Sequence, residues 1–240
     1  SSWGLSLPVA GLVSLAVTAA LGITIERLAY RPLRNAPRIS ALISALGVSL
    51  FIQYFSSLKF VFGPNYRVVY PPLKMVQWNL GGITITNIQV LIFVVVALLL
   101  IGLQYLVYRT KFGMAMRTVS YDSQAARLMG INVDYVISMT FGLGSALAAA
   151  GGMLYMLAYP QINPFMGTMP GLKAFVAAVL GGIGIIPGAV LGSLIMGQVE
   201  TLTVAFVSSQ LRDAVAFGVL ILVLLVRPTG ILGKRAVEKV

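Results

Sequence analysis

The 240-residue chain has no cysteine and no histidine. The first absence excludes disulfides, thiol nucleophiles and thiolate metal sites. The second removes the commonest metal ligand and general base. Acid is nearly as scarce. The only carboxylate side chains are Glu26, Asp122, Asp134, Glu200, Asp213 and Glu238, and any catalytic dyad or metal cage would have to come from these six. We assign no catalytic residue, no metal and no cofactor. Charged residues make up 10% of the chain and hydrophobic ones 58%, where an ordinary soluble domain is about 25% charged.

What fills the sequence is long apolar runs. Several reach the roughly 20 residues that a helix needs to cross a bilayer. The runs are continuous rather than alternating, which excludes a β-barrel. The fold class is all-α: one polytopic transmembrane helical bundle over 1–240, with about five to seven spans. The spans are expected near 6–25, 39–58, 88–108, 136–157, 173–185, 188–208 and 211–226. An alternative makes 173–208 re-entrant; both satisfy the odd number of crossings that the last part of the chain requires. The chain opens without methionine on an apolar run and reads as beginning inside a longer protein.

The net charge of +11 does not point to nucleic acid. Basic residues collect in cytoplasmic loops of membrane proteins, and here most fall in three groups. These are Arg27, Arg31, Arg34 and Arg38; Arg109, Lys111, Arg117 and Arg127; and Arg227, Lys234, Arg235 and Lys239. All three are expected on the cytoplasmic side, the first as a short loop after the first span. The opposite side would carry 59–87, with Lys59, Arg67 and Lys74, and the turn 159–167. Within 59–87, Ile83–Thr86 alternates like a short strand. Tyr70 and Trp78 suit the aromatic belt at a membrane surface.

Between two apolar runs lies a loop at 109–135. Inside it, Asp122-Ser-Gln-Ala-Ala-Arg-Leu-Met-Gly130 reads as a complete short helix. Asp122 can cap its start and Gly130 can supply the left-handed stop. Ala125, Leu128 and Met129 would make a small apolar face. Two turns are too few to be stable alone, so the helix must dock, either on its own membrane domain or on a partner.

Three features lie inside the spans. Gln53 is the strongly polar residue of the second span, suited to an interhelical hydrogen bond or to a substrate contact. Gly181, Gly182, Gly184, Pro187 and Gly188 interrupt an apolar stretch. Broken backbone at membrane depth must be buried in protein or line a watery cavity, so this is either part of a transport path or a turn between two ordinary helices. Glu200 is the carboxylate placed inside a span. Such acids face the bundle interior or a water path; the other reading pairs it with Arg212 near the outer headgroups.

Several stretches together resemble one family, the permease of branched-chain amino acid ABC importers of the Liv H-subunit type. They are Ile25–Arg34, Leu42–Gly47, Leu128–Asn132, Ile162–Pro164, Gly171–Phe175, Ala177–Gly184 with Pro187–Ala189, and Pro228–Gly233. The resemblance covers nearly the whole chain in order. It implies that Asp122, Gln124, Ala125, Ala126, Arg127, Leu128 and Gly130 form an ATPase-coupling helix. It further implies partner ABC ATPase subunits that bind the ATP, a second permease subunit, identical or homologous, and a periplasmic binding protein docking outside near Asn163 and Pro164. The translocation path would involve Gln53, Gly181, Gly182, Gly184, Pro187 and Glu200. The implied setting is a bacterial inner membrane with a cytoplasmic C-terminus. Two departures stand out: Ile185 replaces a frequent small polar residue, and Gln124 replaces a frequent acid. The chain lacks Gly-x-x-x-x-Gly-Lys-[Ser/Thr], so ATP would have to be bound elsewhere. Two rival classes are an ion-coupled carrier or channel and an intramembrane enzyme. The carrier needs intramembrane acids; the enzyme needs a base beside its nucleophile.

Overall fold

A computed structural model describes residues 7–34, 36–68, 76–80 and 83–233. Tyr70, Lys74, Lys234, Arg235, Glu238 and Lys239 lie outside the described residues. The chain divides into two compact units, Ser1–Pro164 and Phe165–Val240. Among the described residues, six helices are long and apolar enough to cross a membrane. The polytopic helical fold read from the sequence is what the structure shows.

The first unit starts with α1 (Leu7–Ile25). The expected basic loop after it is helical instead. A π-helical turn, Glu26–Tyr30, and a 3-10 turn, Arg31–Leu33, prolong the same rod. Glu26 is thereby carried into a buried position rather than left in a loop. α2 (Arg38–Ser57) follows. Then come two short strands, β1 (Arg67–Val68) and β2 (Gln77–Leu80). The alternating run expected as a strand is β3 (Ile83–Thr86), which pairs antiparallel with β2. α3 (Asn87–Arg109) begins at a capping box, in which Thr86 and Gln89 each satisfy a backbone N–H of the other's residue or turn. The loop at 109–135 is more helical than its sequence suggested, with α4 (Lys111–Tyr121) preceding α5 (Ser123–Leu128). α6 (Val133–Ala158) and β4 (Gln161–Ile162) complete the unit.

α1 and α6 form its packed centre. A Cβ on Gly22 would lie 2.0 Å from Ser145 Oγ, and one on Gly142 would lie 2.9 Å from Ile23 Cδ1. Small residues thus let the two backbones approach, as membrane helices commonly do. The rest of α6's small-residue flank is different: Cβ atoms on Gly144, Gly151 and Gly152 would meet nothing within 4 Å.

Two contacts fix which connections share a side. β1 pairs with β4, Arg67 opposite Ile162 and Val68 opposite Gln161. This joins the two segments expected outside. At the other end, Arg31 and Arg34 both bond Asp134, and Arg127 approaches it at 3.9 Å. The first two basic groups therefore share one side.

The second unit comprises α7 (Thr168–Gly181), α8 (Ile186–Phe206), a 3-10 turn at Ser209–Leu211, and α9 (Arg212–Val226). Its apolar core gathers Val176 and Ala177 of α7, Met196 of α8 and Ala216 of α9. At 14 residues, α7 is about 21 Å long, short of a typical hydrocarbon core of about 30 Å. α8, at 21 residues, reaches that thickness at about 31 Å.

Candidate functional site

The short helix α5 is built as its ends foretold. Asp122 accepts hydrogen bonds from Gln124 N at 2.9 Å and Ala125 N at 3.0 Å. At the other end Gly130 has φ +80°. Ile131 N donates to Ala126 O and Gly130 N to Arg127 O, each at 3.0 Å. That is a Schellman cap, which satisfies the orphan carbonyls of the last turn. Asn132 then caps α6 by accepting from Tyr135 N at 3.1 Å. Only Met129 to Asn132 separate the two helices, and their backbone is occupied by caps.

The expected apolar face of α5, Ala125, Leu128 and Met129, is turned away from its own chain. Ala126 is fully buried and fixes the helix to its own chain, whereas Gln124, Ala125 and Arg127 are exposed. Leu128 is 88% and Met129 80% exposed. The helix thus stands on one small residue and presents two large apolar ones outward.

The Gly/Pro stretch is a turn between α7 and α8. Gly182 at φ +111° and Gly184 at φ +87° reverse the chain, and Pro187 sits in the first turn of α8, where its missing N–H costs nothing. The helices touch backbone to backbone. A Cβ on Gly181 would fall 1.8 Å from Gly188 O, and one on Gly192 would fall 2.1 Å from Ala177 O. The carbonyls that end α7 are met by the tail: Ile231 N donates to Leu180 O at 2.9 Å and Leu232 N to Gly181 O at 3.1 Å. Gly181 and Gly182 are buried; Ile183 and Gly184 at the tip are exposed.

Glu200 belongs to a cluster of four charges. Lys173 Nζ lies 2.9 Å from Glu200 Oε1 and 2.7 Å from Asp213 Oδ1. Arg212 Nε stands 3.8 Å from Glu200 Oε2 and 3.6 Å from Asp213 Oδ1. The cluster ties α7, α8 and α9 together. Pairing with Arg212 is one of the two arrangements expected for Glu200; the nearer partner, Lys173, was not foreseen. Lys173→Met would leave two acids sharing one distant cation. It should lower stability by about 2 kcal/mol, read as a fall in thermal midpoint, while Glu200→Gln, which keeps an acceptor, should cost less.

Gln53 bonds inside its own helix, Nε2 donating to Ser49 Oγ at 3.1 Å. Asn163 and Pro164 are half-buried beside β4. Among the described residues no group of His, Cys, Asp or Glu is placed to hold a metal ion.

One charged site escaped the sequence reading. Glu26 is fully buried. One of its oxygens accepts from Arg34, the other from the Ser138 hydroxyl. The same Arg34 donates to Asp134 with its other amine, and Arg31 donates to Asp134 at 2.8 Å. The signal available was the rarity of acids: two of six lie at the start of this node, on or beside basic stretches.

Six apolar helices among the described residues, with connections joined by a strand pair at one end of the first unit and by ion pairs at the other, define a multi-pass membrane protein. A family model described as the branched-chain amino acid transport system permease component matches residues 2–224, and the chain belongs to that family. It is 46% identical over 243 residues to the high-affinity branched-chain amino acid transport system permease protein LivH of Escherichia coli (strain K12), covering 99% of this chain and 78% of that protein. It is 44% identical over 242 residues to BraD of Pseudomonas aeruginosa, a permease protein of the same description, covering 95% and 75%. A probable LivH from Methanocaldococcus jannaschii is 33% identical over 245 residues, covering 95% and 74%. No solved structure matches the chain.

Proposed function

We propose that this chain is the membrane-spanning permease subunit of an ABC importer that moves leucine, isoleucine or valine inward. Separate cytoplasmic ATPase subunits drive it, and a periplasmic binding protein supplies it. The observation that carries the reading is α5: a fully capped helix anchored through Ala126, with Leu128 and Met129 turned outward. A helix of this length with exposed apolar residues fits a groove on a partner. Arg127 and Gln124 flank the same surface. ATP chemistry belongs to the partner, and this chain contributes the route.

The inner-membrane placement, with the C-terminus in the cytoplasm, rests on charge. Arg27, Arg31, Arg34, Arg109, Lys111, Arg117 and Arg127 all belong to segments on the α5 side of the first unit, as the positive-inside rule requires of cytoplasmic segments. The binding protein would dock on the opposite face, where β1 and β4 hold the loops near Asn163 and Pro164 together. The large apolar side chains left exposed along α2 and α3 suit lipid and a second permease subunit. An ion-coupled carrier is disfavoured because its candidate acids are engaged: Glu26 by Arg34 and Ser138, Glu200 and Asp213 by Lys173.

The cysteine-free sequence offers a direct test. Leu128→Cys, in a membrane containing the ABC ATPase subunits, should cross-link to one of them, with a yield that changes when ATP is added. No cross-link from Leu128→Cys or Met129→Cys, with the ATPase subunits present, would overturn the reading.

A further inference from the structure

We propose that Asp134 and Arg34 form the joint that passes movement of α5 into the two packed membrane helices α1 and α6, with Glu26 as its buried anchor. The proposal rests on α5 being the ATPase-contacting helix and adds how that contact is transmitted.

Three observations carry it. First, α5 and α6 are consecutive and capped against one another, so little slack separates them. Second, Asp134 stands in the first turn of α6 and collects cations from both neighbours. Arg31 and Arg34 come from the extension of α1, and Arg127 comes from α5 itself. Arg34 is forked between Asp134 and Glu26. Ser138, one turn beyond Asp134 on the same face of α6, closes the ring by donating to Glu26. A push on α5 therefore reaches α1 through charge-assisted bonds as well as through the chain. Third, the joint has a fixed side and an adjustable side. Glu26 is fully buried, while the side chains of Arg31, Asp134 and Arg127 are 53%, 41% and 65% exposed. Arg127 reaches the same Asp134 oxygen that Arg34 holds. Exposed ion pairs of this kind exchange partners at low cost, so Asp134 can trade Arg34 for Arg127 without leaving a buried charge alone. The π-helical turn Glu26–Tyr30 lies at this point of α1. Such turns are rare, occur often at functional sites, and mark where a helix can change its bend.

Glu26 is too deeply buried for a clean test, since its variants risk misassembly. Asp134, half-exposed, carries the experiment. The permease is purified with its ATPase subunits, reconstituted into vesicles with the binding protein, and assayed for uptake of radiolabelled leucine and for ATP hydrolysis. Asp134→Asn should assemble normally and keep hydrolysing ATP, while leucine moved per ATP falls about tenfold, within the range by which residues remote from ligands modulate coupling. Asp134→Glu should recover most of it. Uptake and hydrolysis falling in equal proportion, or neither changing, would overturn the proposal. Leu128→Glu serves as the separate control. If it leaves hydrolysis and uptake intact, the reading of α5 fails; if it abolishes both while Asp134→Asn has no effect on their ratio, only the joint fails.

Discussion

Gly181→Ala is expected to prevent the α7–α8 hairpin from forming, and with it the second unit. The added methyl would sit 1.8 Å from Gly188 O and 2.2 Å from Gly188 C. Both are backbone atoms of the facing helix, so no rotamer change relieves the clash. Moving α8 away would in turn open the contacts at Gly192 and Ala177. Overpacking of this kind costs about 3 kcal/mol or more where the neighbour cannot yield. The variant should appear as a large loss of folded protein after detergent extraction and a steep fall in thermal midpoint. Gly197→Ala is the matched comparison. A Cβ there meets nothing within 4 Å on the same helix, and replacing helical glycine by alanine at an unhindered position gains up to about 1 kcal/mol. Equal behaviour of the two variants would show that α7 and α8 do not approach as closely as described.

Gly130→Val is expected to abolish ATP-driven uptake while leaving the protein in the membrane. The cause here is conformation rather than space. A Cβ on Gly130 meets nothing within 4 Å, but the residue holds φ +80°. An L-residue pays about 1–2 kcal/mol to stay there, and a β-branched one more. That is comparable to what a six-residue helix gains from its cap, so the Ile131–Ala126 and Gly130–Arg127 bonds would be lost and α5 would unwind. Membrane insertion depends on the spans and should not change. Asn tolerates this region better than other residues with a Cβ, so Gly130→Asn should keep much of the uptake. Full uptake by Gly130→Val would remove α5 from the coupling route.

The parts of the molecule visible in sequence are those governed by neighbours along the chain. The apolar runs gave the spans because hydrocarbon thickness sets a length that composition alone reveals. Asp122 and Gly130 bounded α5 because caps are local chemistry. Ile83–Thr86 showed its alternation, although its pairing with Gln77–Leu80 did not. What stayed hidden depends on distant partners. Glu26 to Arg34 looked like a loop because four charges follow an apolar run, and the groups that hold this stretch in place, Ser138 bonding Glu26 and Asp134 bonding Arg34, lie about a hundred residues away. The outward face of α5 was legible in Ala125, Leu128 and Met129, but the burial of Ala126 was not, because a helix of six residues is too short for periodicity to fix which small residue meets the chain. Lys173 gave no sign that it sits between Glu200 and Asp213, since each belongs to a different helix. The tail motif at 228–233 was noticed for its resemblance alone. Its task is done by backbone N–H groups, and those have no letter in the sequence.

That last contact sets an order of events during synthesis. The carbonyls of Leu180 and Gly181 wait for donors on Ile231 and Leu232, about fifty residues later in the chain. While the ribosome is still making α8 and α9, the end of α7 has no such closure, and its carbonyls must rely on water or on a loosened last turn. The reversal at Gly182 can be fastened only once α9 has been laid down and the chain beyond it has emerged. A stop placed between Val226 and Ile231 would therefore deliver every apolar span of the second unit to the membrane, yet leave its oldest helix unfastened for the quality-control proteases to find.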